Sequence, residues 1–423
     1  MILIKNGRVI DPFHGIDEKL DVLIKDDIVI CIDKNIEITE EVEIIDAKGL
    51  IVAPGLVDVH VHFRDPGLTY KEDITSGSNS AAKGGFTTVV CMANTKPVVD
   101  NEETLLYIQE ECKKAKINVL QAACITKQLM GKELVDMDYL KNLGAVGFTD
   151  DGLPIMDTDV LLKAMEKAKE LNVPLSFHEE DPSLVYGAGI NKGKVSEQLK
   201  LEGASHLAED VMVARDCMIA IQTKAKVNIQ HISSCNSVDM IRFAKKMGAN
   251  ITAEIAPHHF SMTEDDVLQH GTNAKMNPPL RTEENRLKLI EGLKDDTIEI
   301  IATDHAPHSK EEKDKPFSGA PSGIIGLETS LSLGIMNLVH KNHLSLSKLI
   351  EKMTIKPANL YNLSLGTIEI GNKADIVIFN ENEKWVVKDF ASKSSNSPFV
   401  GQELTGKVKY TICNGKIVYS DKY

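Results

Sequence analysis

Cysteine is scarce and unpaired in this chain of 423 residues: Cys31, Cys91, Cys112, Cys124, Cys217, Cys235 and Cys413 are odd in number, widely scattered, and form no C-x-x-C motif. Such a set argues for reduced thiols, and against both a disulfide scaffold and a thiolate-held metal. Long apolar runs are missing as well. Ile298 to Ala302, with Glu299 inside it, is typical, far below the ~18 residues needed to cross a bilayer, so no membrane span is expected. The opening Met1-Ile2-Leu3-Ile4-Lys5-Asn6-Gly7 lacks the apolar segment and cleavage site of a secretory signal, which makes the cytoplasm the expected location. Positive charge is in deficit. Lys and Arg total 48 against 62 Asp and Glu, a balance of −14, the wrong sign for binding a phosphate backbone, so nucleic acid is not an expected partner.

What is present suits a large soluble globular protein, with 42% hydrophobic and 26% charged residues. Eight short apolar runs alternate with amphipathic stretches: 56–62, 87–92, 117–125, 145–149, 173–178, 227–232, 250–255 and 298–304. That alternation is the signature of a parallel sheet covered by helices. Asn101-Glu102-Glu103 and Asn236 to Gly248 supply helix start and stop signals. An open doubly wound sheet would be expected to show a glycine-rich phosphate turn, and no G-x-G-x-x-G follows the early strands. The expected fold is α/β, a (β/α)₈ TIM-type barrel over 53–361. The ends differ. Asn6-Gly7 and Asn414-Gly415, each flanked by β-type residues, read as type I′ hairpins, and because a lone hairpin is marginal the two termini are expected to form one small β domain from 1–52 and 362–423.

The chemistry lies where these strands end. In His60-Val61-His62, residues two apart on a strand share a face, so both imidazoles enter the barrel mouth, where active sites of this fold lie. His178, His231 and Asp304 end three further runs, and Asp150-Asp151-Gly152 follows the fourth. A single buried histidine is ordinarily just a satisfied core residue. Four histidines and two aspartates on one rim are not, because so many unpaired polar groups are costly without a metal. Imidazole and carboxylate without thiolate suit Zn²⁺, and six ligands exceed one tetrahedral ion, so two metals are expected.

Five blocks in order resemble the amidohydrolase superfamily, and within it the bacterial dihydroorotase family whose two metals are bridged by aspartate instead of a carboxylated lysine. They are Asp58 to Gly67, Met92 to Pro97, Phe148 to Gly152, Lys275 to Arg281 and Thr303 to His308. Two positions depart from the family's habit: Ala93, where proline is usual, and Ser322, where an aromatic is usual. The resemblance implies that His60, His62 and Asp304 hold one Zn²⁺, that His178 and His231 hold the other, and that Asp151 bridges them. It implies that Arg64, Asn94 and His308 anchor a substrate carboxylate, with Asn277, Ser322 and Gly323 facing the ring and His62 also beside the substrate. Asp304 would be the catalytic proton carrier. The implied reaction is reversible cyclisation of N-carbamoyl-L-aspartate to (S)-dihydroorotate and water, a step of de novo pyrimidine (UMP) synthesis. A homodimer is the expected assembly, with docking to aspartate transcarbamoylase as a further partnership.

The alternatives are an allantoinase or hydantoinase, which would use the carboxylated lysine and need no cationic anchor, and a silent scaffold, which would be expected to have lost ligands. Arg64 has a surface alternative, pairing with Asp65 or Asp73. His258-His259 reads as a strand end with at least one structural imidazole. The run Lys310 to Lys315 reads as a solvated loop, with a lid across the mouth as its alternative.

Overall fold

The computed structural model describes residues 1–39, 41–186 and 189–421. Eight parallel strands form the barrel: β1 Leu56–Val61, β2 Phe86–Cys91, β3 Asn118–Gln121, β4 Phe148–Thr149, β5 Leu175–Phe177, β6 Val227–Ile229, β7 Ile251–Ile255 and β8 Ile300–Ile301. β1 to β3 pair in one sheet and β4 to β8 in another. Two parallel bridges close the ring, Val61 with His305 and Ala123 with Phe148, carried by His62 N–H to the His305 carbonyl at 2.9 Å and Thr149 N–H to the Ala123 carbonyl at 2.8 Å. β1 and β2 are buried at every position, which is why they read as continuous apolar runs without alternation.

Helices cover the outside, and their starts follow local capping chemistry. Asn101 accepts from Thr104 N–H to open Glu102–Cys112, as its acid-rich first turn suggests. The helix expected from Asn236 begins one residue earlier, at Cys235. Its first N–H is met by Asn285 from another helix, and Asn236 turns its amide to Asp210 at 2.8 Å. A cap supplied from elsewhere in the fold leaves no local sequence signal.

Both chain ends contribute to a separate eight-stranded sheet. Ile51–Pro54 pairs antiparallel with Ile376–Val386, joining strands Ile2–Asp11, Ile16–Lys25, Ile28–Asp33 and Glu43–Asp46 to Glu403–Cys413 and Lys416–Ser420. Ile4, Val9, Val22, Val52, Ile376, Ile378 and Ile412 make its core. Asn414 (φ 48°) and Gly415 (φ 71°) form the expected C-terminal hairpin turn. The N-terminal hairpin is corrected. Asn6-Gly7 lies inside the first strand as a bulge, with Asn6 at φ 64° and its N–H on Asp21 at 2.8 Å. Glycine is required there because a Cβ on Gly7 would lie 2.4 Å from Val52 Cγ2. The actual turn spans 12–15, organised by Asp11, whose carboxylate accepts from Phe13 N–H at 3.0 Å. Among the described residues no helix is long and apolar enough to cross a membrane, and all seven cysteines are free.

Candidate active site

The ends of β1, β4, β5, β6 and β8 bring His60, His62, Asp151, His178, His231 and Asp304 together, all buried. His60 and His62 share a face because they are two apart on β1. His231 (φ 32°) and Asp304 (φ 50°) adopt left-handed backbone, a cost that surrounding structure must sustain. Asp58 helps: its buried carboxylate accepts from His60 N–H at 3.0 Å and from Thr303 N–H at 3.1 Å, tying β1 to the segment that carries Asp304.

Two ligand groups share one residue. His60, His62 and Asp151 form the first; Asp151, His178 and His231 form the second. His60 Nε2 lies 3.5 Å from both Asp151 and Asp304. His62 Nε2 lies 3.1 Å from Asp304 and 3.5 Å from Asp151. His178 Nδ1 stands 3.8 Å from Asp151 and 2.9 Å from His231 Nε2. Among the described residues, buried His60 Nε2 has no hydrogen-bond partner. An orphaned imidazole nitrogen facing two carboxylates, in a set made only of nitrogen and oxygen donors, fits a divalent cation of the Zn²⁺ type. The charges respond to one another. Burial opposes a charged His60, but Glu254 and Asp151 outweigh it and lift its pKa well above the usual value. Burial likewise opposes an ionised Asp151, yet His60, His62 and His178 hold it well below the carboxylate range. His231 is pushed well down by burial and by His178 and His60.

Three of the histidines have their outward nitrogen engaged. Asn94 Oδ1 lies 3.0 Å from His62 Nδ1, Glu180 lies 3.0 Å from His178 Nε2, and Glu254 contacts His60 Nδ1. Glu180 and Glu254 were missed in the sequence. The available signals were slight: an acid inside the apolar run Ile251-Thr252-Ala253-Glu254-Ile255, and another two residues after a ligand.

Beside this cluster lies a pocket of ≈ 210 Å³ lined by His62, Arg64, Asn94, Asn277, His308, Ser322 and Gly323 together with Asp151, His178, His231 and Asp304; His60 does not line it. Arg64 does not pair with Asp65 or Asp73. Asp65 accepts from Tyr107 at 3.0 Å, and Asp73 caps Ile74–Lys83 and pairs with Lys393. The guanidinium instead donates to the Pro307 carbonyl at 3.2 Å and lies 3.5 Å from His308. His308 Nε2 donates to the Ser322 carbonyl at 2.8 Å while Nδ1 faces the Lys71 ammonium at 3.3 Å; burial, Arg64 and Lys71 push its pKa to about 2. Ser322 donates to Asn277 Oδ1 at 3.2 Å. Gly323, at φ 120°, permits the close approach, since a Cβ would lie 2.6 Å from that of Ala306. Asn94 lines the pocket, yet its amide also donates to Asp151 at 2.9 Å, so it fixes two ligands as well as facing the cavity.

Two further expectations are corrected. His258 and His259 lie on a short helix, Pro257–Ser261, because Pro257 at its first position favours a helical start; both are buried. The 310–315 run is not a wholly solvated loop. Ser309 caps Lys310–Lys313, Glu312 pairs with Lys71 at 2.9 Å, and buried Lys313 donates to the Pro321 and Gly323 carbonyls at 3.0 Å.

Residues 51–418 match the amidohydrolase family. A dihydroorotase of Clostridioides difficile is 68% identical over 99% of this chain and 100% of its own length, and one of Clostridium acetobutylicum 59% over 100% of both. Among solved structures, an L-hydantoinase from Arthrobacter aurescens superposes with a TM-score of 0.88 at 27% identity, covering 100% of this chain and 96% of that one. A family match over most of the chain and relatives of this identity over its full length lead to one assignment: the chain belongs to the amidohydrolase family, among the dihydroorotases.

Proposed function

We propose that the chain is a dihydroorotase whose barrel, 53–361, carries two Zn²⁺ ions, with His60, His62 and Asp304 on one, His178 and His231 on the other, and Asp151 between them. The 1–52 and 362–423 segments form the accessory β domain in this reading. Bound there, such ions would supply Lewis acidity and lower the pKa of a bound water. Arg64, with His308 beside it, holds the carboxylate that does not react, a bidentate charge-assisted contact that orients the ring. Asn277 and the Ser322-Gly323 backbone close over the ring from the side. In the hydrolytic direction the Asp304 carboxylate takes the proton of the attacking water and returns it to the departing ring nitrogen; cyclisation reverses both transfers. Asp304 is suited to this because it stands at the pocket floor beside His62.

The observation that carries this reading over a hydantoinase is Arg64: a guanidinium lining the pocket that makes no ion pair among the described residues, and so stands ready for an anionic substrate. The structural likeness to hydantoinases speaks for the shared barrel. Metal analysis beside turnover of dihydroorotate, allantoin and hydantoin tests the proposal. Two zinc per chain with turnover confined to dihydroorotate is expected; comparable turnover of hydantoin would overturn it. In this reading the protein works in the cytoplasm as a homodimer, which sedimentation of the purified protein checks.

A further inference from the structure

Glu254 lies on β7 beneath the ligands, 1% exposed, in a layer of the barrel where apolar side chains are usual. One carboxylate oxygen contacts His60 Nδ1; the other accepts from Asn228 Nδ2 at 3.0 Å. The same Asn228 amide reaches Ser176 Oγ at 3.3 Å, and Ser176 lies 3.3 Å from the Tyr361 hydroxyl. A buried polar chain thus runs from His60 through β7, β6 and β5 to the residue that follows the helix Ile355–Leu360. His60 is the sole ionic contact of Glu254 among the described residues. A carboxylate buried so deeply is costly to keep unless it is hydrogen-bonded and a cation lies close by.

A carboxylate accepts, so its contact with His60 places a proton on Nδ1 and leaves Nε2 as the ring nitrogen that can offer its lone pair to a cation. Nε2 faces the site, 3.5 Å from Asp151 and from Asp304, with no hydrogen-bond partner among the described residues. We infer that Glu254 is a positioning residue for the metal centre: from below, it locks the His60 ring with Nδ1–H on its carboxylate and Nε2 presented to the cation, and adds negative charge behind that ligand. Carboxylates placed behind ligating histidines raise ligand basicity and fix ring orientation. Glu254 touches neither substrate nor the reacting atoms, so its effect reaches the reaction only through His60.

The inference rests on reading His60 as a metal ligand, and the test separates the two. Zinc affinity is measured by competition with a chromophoric chelator for the wild type and for Glu254→Gln, Glu254→Ala and Glu254→Asp, alongside the melting temperature of each metal-free protein. Glu254→Gln keeps the volume, and Asn228 can turn its unpartnered Oδ1 toward the new amide, so the fold is expected to survive. The expected result is zinc binding at least ~10-fold weaker in Glu254→Gln, up to ~100-fold weaker in Glu254→Ala, and intermediate in Glu254→Asp, which keeps the charge but withdraws it. Wild-type zinc affinity in both Gln and Ala variants would overturn the inference and leave the metal reading intact. Failure of the wild type to bind zinc would overturn the metal reading itself. Should the variants not fold, nitrogen-15 spectra of the zinc-loaded wild type still decide: His60 must be zinc-bound through Nε2 with a protected Nδ1–H, and the opposite assignment sinks the proposal.

Discussion

Asp150 and Asp151 are neighbours in the chain and face opposite sides of the loop after β4. Asp150 turns into the wall, accepting the backbone N–H groups of Ile125 at 2.8 Å and Thr126 at 3.1 Å, while Asp151 stands among His60, His62 and His178 at 3.5 to 3.8 Å. Adjacent side chains diverge, so Asp150 braces the loop while Asp151 faces the three imidazoles.

The two substitutions should therefore fail differently. Asp151→Ala is expected to lose zinc while the fold persists. Asp150→Ala is expected to keep zinc but melt earlier, because buried donors left unpaired cost about 1–3 kcal/mol each. Zinc per chain and melting temperature, measured together, decide; two zinc retained in Asp151→Ala would remove it from the bridge. Since aspartate brings its own charge, metal-stripped wild type should also regain activity with Zn²⁺ in buffer free of CO₂.

Asp304→Asn preserves size and removes the ability to take a proton at neutral pH. Turnover of dihydroorotate should fall at least ~100-fold. Because Asp304 also faces His60 and His62, zinc content must be measured on the same sample. A variant with full zinc and near-normal turnover would show that the proton travels by another group.

His259 gives a pH dependence set chiefly by its own burial. It is fully enclosed, Nε2 donates to the Pro278 carbonyl at 3.0 Å, and burial pushes its pKa down to about 4. In the unfolded chain a histidine takes up its proton near 6.5, so below that pH the unfolded state binds more protons and stability falls as pH drops toward 4. The loss approaches about 1.4 kcal/mol per pH unit for one such group. Denaturant unfolding of metal-free protein at pH 7 and pH 5 should show a smaller acid loss in His259→Gln than in wild type. Equal losses would mean that His259 is not the group responsible.

The barrel was legible because its strands are buried on both faces and write themselves as apolar runs, and the His/Asp cluster was legible because each member lies within two residues of such a run's end. His60 and His62 announce a shared face by their spacing alone. Glu254 was not legible, since the sequence cannot show that this acid points at an imidazole on a strand about 190 residues earlier. Lys313 looked like one more charge in a solvated run, and only the fold reveals the Pro321 and Gly323 carbonyls that accept its hydrogen bonds. Asn6-Gly7 misled for a related reason: the dipeptide does permit positive φ, but here the strand uses it for a bulge against Val52, and Asp11 makes the turn instead.

Arg64 carries the last prediction, on substrate choice. Its guanidinium has a backbone carbonyl and His308 for neighbours, and the carboxylates that might have neutralised it, Asp65 and Asp73, are engaged elsewhere. A cation held this way gains most when an anionic substrate arrives. Arg64→Met keeps much of the stem and removes the charge, and a charged hydrogen bond lost in a desolvated site costs ~2–5 kcal/mol. The catalytic efficiency toward dihydroorotate should fall accordingly, by ~30-fold or more, whereas any residual turnover of an uncharged cyclic amide should be little changed. The ratio of the two efficiencies is the measurement, because a general loss of folding or zinc would lower both alike. Equal losses on both substrates would assign Arg64 to holding the Pro307-His308 loop, and the carboxylate anchor would have to be sought among the remaining pocket residues.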